Sequence, residues 1–204
     1  MGVAPLIDIA PDLHRWTAPH PEWAPGAAPE TPASWPQDVG CVLYRTRAAA
    51  VFIDPLINDS APGLWDALDA RVGRRRAMVA TTVRWHARSR DAVIERYGAV
   101  DADADPRALP PEVKPIRLRS NDETMYWLPQ PAALVVGDRL LGDERGGVRM
   151  CPESWMEYLP GNVGHAELRD SLRALLTLPV ANVLVSHGEP VLGDGRAAIA
   201  RALG

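Results

Sequence analysis

The chain alternates between two kinds of hydrophobic pattern. One is the short continuous apolar run bounded by turn residues, which is typical of buried strands. The predicted strands are 41–46, 50–56, 76–83, 116–120, 124–129, 132–142 and 182–188. In the other pattern, apolar residues recur three or four positions apart, as in amphipathic helices. The predicted helices are 63–73, 88–98, 165–179 and 193–203. Strands that alternate with helices in this way predict a layered α/β or α+β domain.

The first 38 residues show neither pattern. The segment 17–38 is rich in proline, which removes backbone donors and clashes with the preceding helical turn, so this segment cannot be a helix. Trp16, Trp23 and Trp35 are too large to be left in water. We therefore predict an ordered arm, residues 1–38, packed on a domain formed by residues 39–204. Apolar arms often wrap a partner subunit, so a homodimer is one expectation that the sequence does not decide.

Composition narrows the class of protein. With 204 residues, 47% of them apolar, the chain is long enough for one domain with a full core. A formal net charge of −4 argues against a nucleic acid or an anionic membrane as partner, because both favour a basic surface. No apolar run approaches the ~18 residues that a membrane span requires. Cys41 and Cys151 are isolated thiols, which fits a reducing compartment and a cytoplasmic protein.

Three of the predicted strands deliver a titratable residue at their carboxyl ends, where sites collect in layered α/β proteins. "AMVATTVRWH" delivers His86, "ALVVGD" delivers Asp138, and "NVLVSHG" delivers His187. Two imidazoles and a carboxylate are a ligand set that zinc, iron or manganese accepts. If the three strand ends meet, the sequence predicts a site for one metal ion there.

These pieces resemble the metallo-β-lactamase-like fold family, and they come in its order. "VFIDPL" looks like the family's early strand ending in Asp, here Asp54, and "ATTVRWHARSRDAVIERYGA" looks like its metal loop and following helix. "PAALVVGDRLLG" resembles the strand with the bridging aspartate, and "VANVLVSHGEPVLGDGRAAIARAL" the last strand and closing helix. The resemblance spans roughly residues 40–204. It implies a four-layer αββα sandwich with its site on one edge.

The metal loop departs from the family's His-x-His-x-Asp-His motif. Laid on that motif, Arg84 takes the first His, His86 keeps the second, Arg88 replaces the Asp and Ser89 replaces the last His. The family also has a histidine between this loop and the bridging aspartate, and none occurs here between His86 and Asp138. The resemblance therefore implies that ordinary two-metal binding fails.

Two functions are the main candidates at this point, and a non-hydrolytic or unrelated activity also stays open. In the first, the pocket is metal-free or binds metal weakly, and it is a small-ligand or regulatory module. Arg84 or Arg88 then pairs with Asp138, and surplus arginine charge binds an anionic small molecule beside His86 and His187. In the second, His86, Asp138 and His187 hold one zinc, iron or manganese ion. The protein is then a hydrolase of an ester, thioester or phosphoester.

The other histidines offer further candidates. His14 and His20 flank Trp16, and they either form a lid over the site with Trp23 or belong to a packed arm. His165 precedes a helix, and it either reaches the site or has a structural role. The serine-hydrolase elbow G-x-S-x-G and the dinucleotide fingerprint G-x-G-x-x-G are both absent, which argues against those two enzyme classes.

Overall fold

The computed structural model describes residues 6–28, 31, 33–58, 62–118, 123–158 and 163–204. Its strands are β1 (Ile7–Ala10), β2 (Leu13–Pro19), β3 (Asp38–Arg45), β4 (Ala49–Ile53), β5 (Arg76–Ala80), β6 (Val100–Asp101), β7 (Lys114–Arg117), β8 (Thr124–Leu128), β9 (Ala133–Val136), β10 (Leu140–Gly142), β11 (Val148–Met150) and β12 (Asn182–Val185). Its α-helices are α1 (Leu64–Val72), α2 (Arg90–Tyr97), α3 (His165–Leu172) and α4 (Gly195–Leu203). Most of the elements predicted from the hydrophobic pattern are confirmed.

The strands of the described residues form a larger and a smaller β-sheet, and β10 and β11 form a separate two-stranded sheet. The larger sheet has the order β1-β2-β3-β4-β5-β6, with β3 and β4 antiparallel and β4 and β5 parallel. The smaller sheet has the order β12-β9-β8-β7, with β12 and β9 parallel. The carboxyl ends of β4, β5, β9 and β12 are therefore the strand ends that can carry a shared site.

Side-chain alternation along the strands divides the interior into three apolar layers. In β4, Val51 and Ile53 face the smaller sheet and pack in one core with Leu128 and Val135. Phe52, between them in sequence, faces the opposite way and packs with the buried side of α1. A third core joins the far side of the smaller sheet to α3 and α4. Helix, sheet, sheet and helix thus stack as the αββα sandwich that the sequence predicted.

The N-terminal region differs from the predicted arm. Ile7–Ala10 and Leu13–Pro19 are strands of the larger sheet, and β2 pairs with β3 along its whole length. Trp16 is fully buried, and its indole N–H donates to the carbonyl oxygen of Leu56. The prediction treated residues 1–38 as a single arm, although the prolines lie mostly after β2, and so it missed these strands. Between Pro19 and β3, the described residues 20–28, 31 and 33–37 form neither helix nor strand.

Three smaller differences concern element ends. The predicted strand 132–142 is split into β9 and β10, because residues 137–139 turn around a buried carboxylate described below. The predicted helix 165–179 is α3 followed by a 3₁₀ turn at Arg173–Thr177. The predicted strand 116–120 runs at 114–117, and residues 119 and 120 lie outside the described residues. Within the described part, no helix is long and apolar enough to cross a membrane.

Candidate metal centre

The structure brings together the three residues that the sequence singled out. His86 lies on a 3₁₀ turn (Arg84–Ala87) after β5, Asp138 directly follows β9, and His187 follows β12. Asp138 Oδ1 is 3.2 Å from His86 Nε2 and 3.3 Å from His187 Nε2. All three side chains are buried, and their candidate ligand atoms lie within 4.8 Å of one another.

A hydrogen-bond network fixes the orientation of His86. Its Nδ1 lies 2.9 Å from Asp54 Oδ2 and 3.0 Å from the hydroxyl of Thr82. Asp54 also accepts from the backbone N–H of Thr82 at 2.7 Å and from its hydroxyl at 2.5 Å. A proton on Nδ1 is held by the carboxylate of Asp54, so Nε2 is the nitrogen that faces Asp138. Asp54 thus lies on the side of the His86 ring that faces away from Asp138.

Asp138 and the two histidines shift one another's pKa values. Burial alone would lower the pKa of His86, but Asp138 and Asp54 outweigh it and raise that pKa to about 9. Burial would raise the pKa of Asp138, yet His86 and His187 hold it well below its usual range. Burial lowers the pKa of His187, which has no second carboxylate to offset it. In the absence of a metal, one proton on His86 therefore balances Asp138.

The two carboxylate oxygens of Asp138 have different surroundings. Its Oδ1 is buried and makes no well-directed hydrogen bond within the described residues, although two imidazole nitrogens are close. Its Oδ2 accepts from the indole N–H of Trp85 at 2.7 Å. One oxygen is thus held in place, and the other points between the two histidines. His187 Nδ1 is buried, and the described residues give it no partner.

The two arginines do not pair with Asp138. Arg88 donates to the carbonyl oxygens of Asp54 and Gly40, at 3.2 and 3.4 Å, and to the hydroxyl of Ser186 at 2.8 Å. Arg84 is exposed, and its guanidinium lies 5.6 Å from the ring centre of Trp85. The predicted ion pair between Asp138 and an arginine is therefore wrong. The two imidazoles, not an arginine, lie beside that carboxylate.

Glu123 is a residue of the site that sequence reasoning missed. Its buried carboxylate accepts the backbone N–H groups of residues 137, 138 and 139 at 2.9, 2.9 and 3.0 Å. Burial raises the pKa of Glu123 to about 7, against the opposing effect of Arg139, whose Nε is 3.9 Å away. The loop that presents Asp138 is therefore wrapped around an internal carboxylate. The only sequence signal was an acidic residue at the start of an otherwise apolar strand.

Close contact between the sheets positions His187. The N–H of Gly40 donates to the carbonyl oxygen of Ser186 at 2.7 Å, and Val39 forms an isolated bridge with His187. A Cβ at Gly40 would overlap the carbonyl oxygen of Val185 and lie 2.9 Å from a guanidinium nitrogen of Arg15. Glycine is thus required here for the approach of β3 to the end of β12.

A cavity of about 470 Å³ opens onto the cluster. Besides His86, Asp138 and His187, it is lined by His20, Glu22, Ala33, Trp35, Arg84, Trp85, Arg88, Arg139, Trp155 and Tyr158. His20 therefore reaches the cavity, where its ring meets Trp35 edge-on at 4.9 Å. His14 bonds Asp8 instead, and His165 bonds the carbonyl oxygen of Cys151. Trp23 does not line the cavity, and its indole N–H donates to the carbonyl oxygen of Trp35.

Solved structures identify the fold. The DIM-1 metallo-β-lactamase superposes with a TM-score of 0.66 at 10% identity, over 98% of this chain and 95% of that one. A metallo-β-lactamase from Erythrobacter litoralis gives 0.61 at 15% identity, over 99% and 91%. An NDM_FIM-1-like metallo-β-lactamase from the same organism, in its mono-zinc form, gives 0.62 at 14%, over 99% and 95%. No protein-family model and no curated protein matches the chain. The protein has a metallo-β-lactamase-like fold with a His-Asp-His cluster.

Proposed function

We propose that the protein is a hydrolase whose centre holds a single metal ion, with His86, Asp138 and His187 as its ligands. The observation that carries the proposal is the spacing of their ligand atoms. Ligands about 2.0–2.1 Å from a tetrahedral zinc ion are roughly 3.3 Å apart. Asp138 Oδ1 is 3.2 and 3.3 Å from the two Nε2 atoms. Three protein ligands leave one position open, which is the arrangement of catalytic zinc sites.

The surrounding residues support this ligand set. Asp54 holds Nδ1 of His86, which leaves Nε2 free to bind a metal, and carboxylate–histidine–metal chains of this kind are common. Trp85 holds the second oxygen of Asp138, so only Oδ1 is directed at the cluster. An ion held there would supply Lewis-acid activation of a water molecule and of a substrate carbonyl or phosphoryl oxygen. Of the neighbouring structures, one was solved in a mono-zinc form, which is a property of that protein.

The chain's own residues limit the chemistry. Arg88 takes the place of the loop's acidic residue, and its guanidinium is bonded to Ser186 and to two carbonyl oxygens. Asp54 is occupied by His86 and Thr82. Among the described lining residues, Glu22 is the remaining carboxylate besides Asp138. The site is therefore suited to substrates with a good leaving group, and an activated ester, thioester or phosphoester is the class to screen.

The first test is metal content together with hydrolysis. Untagged protein purified without chelator is analysed by inductively coupled plasma mass spectrometry and assayed with 4-nitrophenyl esters, thioesters and phosphoesters. We expect about one equivalent of metal, and loss of both metal and hydrolysis in His187→Ala. The matched control is His165→Ala, whose histidine bonds Cys151 outside the cavity and should leave both unchanged. Hydrolysis without metal, or no metal after incubation with zinc, contradicts the proposal.

A second candidate is a metal-free binding module. It is favoured by one observation: His86 lies between Asp54 and Asp138, and these carboxylates raise its pKa to about 9. The imidazolium of His86 then supplies the positive charge that Asp138 requires. Wild-type protein that stays metal-free with excess zinc, iron or manganese, yet binds a small anion in the cavity, would establish this alternative.

A further inference from the structure

The wall of the cavity is built from aromatic rings of three separate segments. Trp35 precedes β3, Trp85 follows β5, and Trp155 follows β11. The ring of His187 has the rings of Trp35 and Trp155 beside it, with centroids 5.6 and 5.8 Å away. Trp85 and Tyr158 are 39% and 54% exposed, and few other large apolar side chains in the described residues are as open to solvent. Exposed aromatic surface beside a buried polar cluster is typical of a ligand site.

Two of the three indole donors of this wall, those of Trp85 and Trp155, are already used. Trp85 donates to Asp138, and Trp155 donates to the carbonyl oxygen of Thr31 at 3.1 Å. What these side chains present to the cavity is therefore ring surface, not hydrogen-bonding capacity. Ring faces favour a flat, apolar or aromatic ligand, which stacks against them or meets them edge-on.

The charge of the described lining residues is positive. Three arginines, Arg84, Arg88 and Arg139, face two carboxylates, Glu22 and Asp138, in a chain whose net charge is −4. Arg88 is fixed by hydrogen bonds, and Arg139 is fully buried. Arg84 is different, because it is exposed and its guanidinium has no hydrogen bond or ion pair within the described part of the chain. An uncommitted guanidinium at the rim favours an anionic group on the ligand.

We propose that this cavity binds planar aromatic monoanions, and that the substrate is an ester whose aromatic part carries a carboxylate directed at Arg84. This inference rests on the proposed function, since it assumes that substrate enters the same cavity. In the reaction, water adds to the acyl carbon, the bond from that carbon to the ester oxygen breaks, and a water proton goes to the leaving oxygen. The products are an acid and an alcohol.

Binding of simple probes tests the proposal without any requirement for turnover. Calorimetry compares 2-naphthoate with the neutral 2-naphthamide and with cyclohexanecarboxylate, which is anionic but not flat. We expect 2-naphthoate to bind most tightly of the three. In Arg84→Ala, the dissociation constant for 2-naphthoate should rise about threefold to fivefold at low ionic strength, the effect of one exposed ion pair. That for 2-naphthamide should not change, and Arg84→Lys should restore most of the loss.

The matched control for charge is Arg107→Ala, since Arg107 is exposed and lies outside the cavity. For the ring, Tyr158→Ala should weaken 2-naphthoate several-fold, and Tyr158→Phe should not. Equal binding of all three probes, or an equal loss for 2-naphthamide in Arg84→Ala, overturns the proposal. Failure of the proposed function looks different: the protein then lacks metal and hydrolysis but still binds 2-naphthoate. A metal-loaded, active protein that ignores 2-naphthoate contradicts only this inference.

Discussion

The substitution Asp54→Asn tests how the protein prepares His86 to bind a metal. Asp54 is buried and accepts three hydrogen bonds, two from Thr82 and one from Nδ1 of His86. An asparagine keeps the shape, and its oxygen still accepts the Thr82 N–H. Its NH₂ group then faces Nδ1 and is satisfied only if that nitrogen becomes an acceptor. The ring proton therefore moves to Nε2, the atom that must bind the metal.

The magnitude follows from these contacts. Substitution of a group that orients a metal ligand typically weakens metal binding about 10- to 100-fold, which is roughly 1.4–2.7 kcal/mol. The fold loses about 2 kcal/mol, because hydrogen bonds to a charged acceptor become bonds to a neutral one. Zinc affinity is measured by competition with a chromophoric chelator, and the free energy of unfolding by urea denaturation followed by tryptophan fluorescence.

Asp103→Asn is a matched control. Asp103 accepts from the N–H and the hydroxyl of Thr81, at 3.0 and 2.6 Å, in the same way that Asp54 binds Thr82, but no histidine is attached to it. Asp103 is exposed and also pairs with Arg90 at 3.5 Å, so we expect a smaller loss of stability than in Asp54→Asn, with zinc affinity within about twofold of wild type. Wild-type zinc affinity in Asp54→Asn refutes the reasoning. An equal loss of affinity in Asp103→Asn would show that the effect is general loosening.

Three further results are expected. In zinc-free protein, the raised pKa of His86 contributes about 3 kcal/mol of stability below pH 6.5, and this stability is lost as pH rises through about 9. Urea denaturation at several pH values measures this loss, which should be absent in His86→Gln. Arg88→Met should lower the unfolding free energy by about 2 kcal/mol, because three hydrogen bonds disappear, one of which joins the larger sheet to Ser186 at the end of β12. Unchanged stability would contradict the contact geometry. Gly40→Ala should cost about 1–3 kcal/mol by thermal denaturation, since its methyl group would overlap Val185.

Strand ends explain why the core of the site could be predicted. His86, Asp138 and His187 each follow a buried apolar run, and the carboxyl ends of such strands meet at one edge of a sandwich. That these three residues meet could be predicted from the order of the elements and the resemblance to a known fold. The same pattern placed α1 and α4 correctly, since helical spacing of leucine and alanine is a local signal.

The unpredicted parts depend on contacts between distant residues. Glu123 and Trp85 both bond to the Asp138 loop from outside it. For Glu123 the sequence offers only an acidic residue beside an apolar strand, and for Trp85 it offers no signal. The guanidinium of Arg84 or Arg88 was expected at Asp138. The backbone at Arg88 has a φ of 40°, and its side chain reaches three other acceptors. The strands before residue 20 were obscured because composition was averaged over a segment that contains both β2 and the proline-rich connection.

The central claim is that one metal ion is bound by two imidazoles and one carboxylate. Zinc K-edge X-ray absorption on protein loaded with one equivalent of zinc measures this set directly. We expect only nitrogen and oxygen scatterers at about 2.0–2.1 Å, with the outer-shell signature of two histidines. A sulfur scatterer at about 2.3 Å would place the zinc on Cys41 or Cys151 instead, and failure to retain zinc at all would leave the cluster a metal-free pocket.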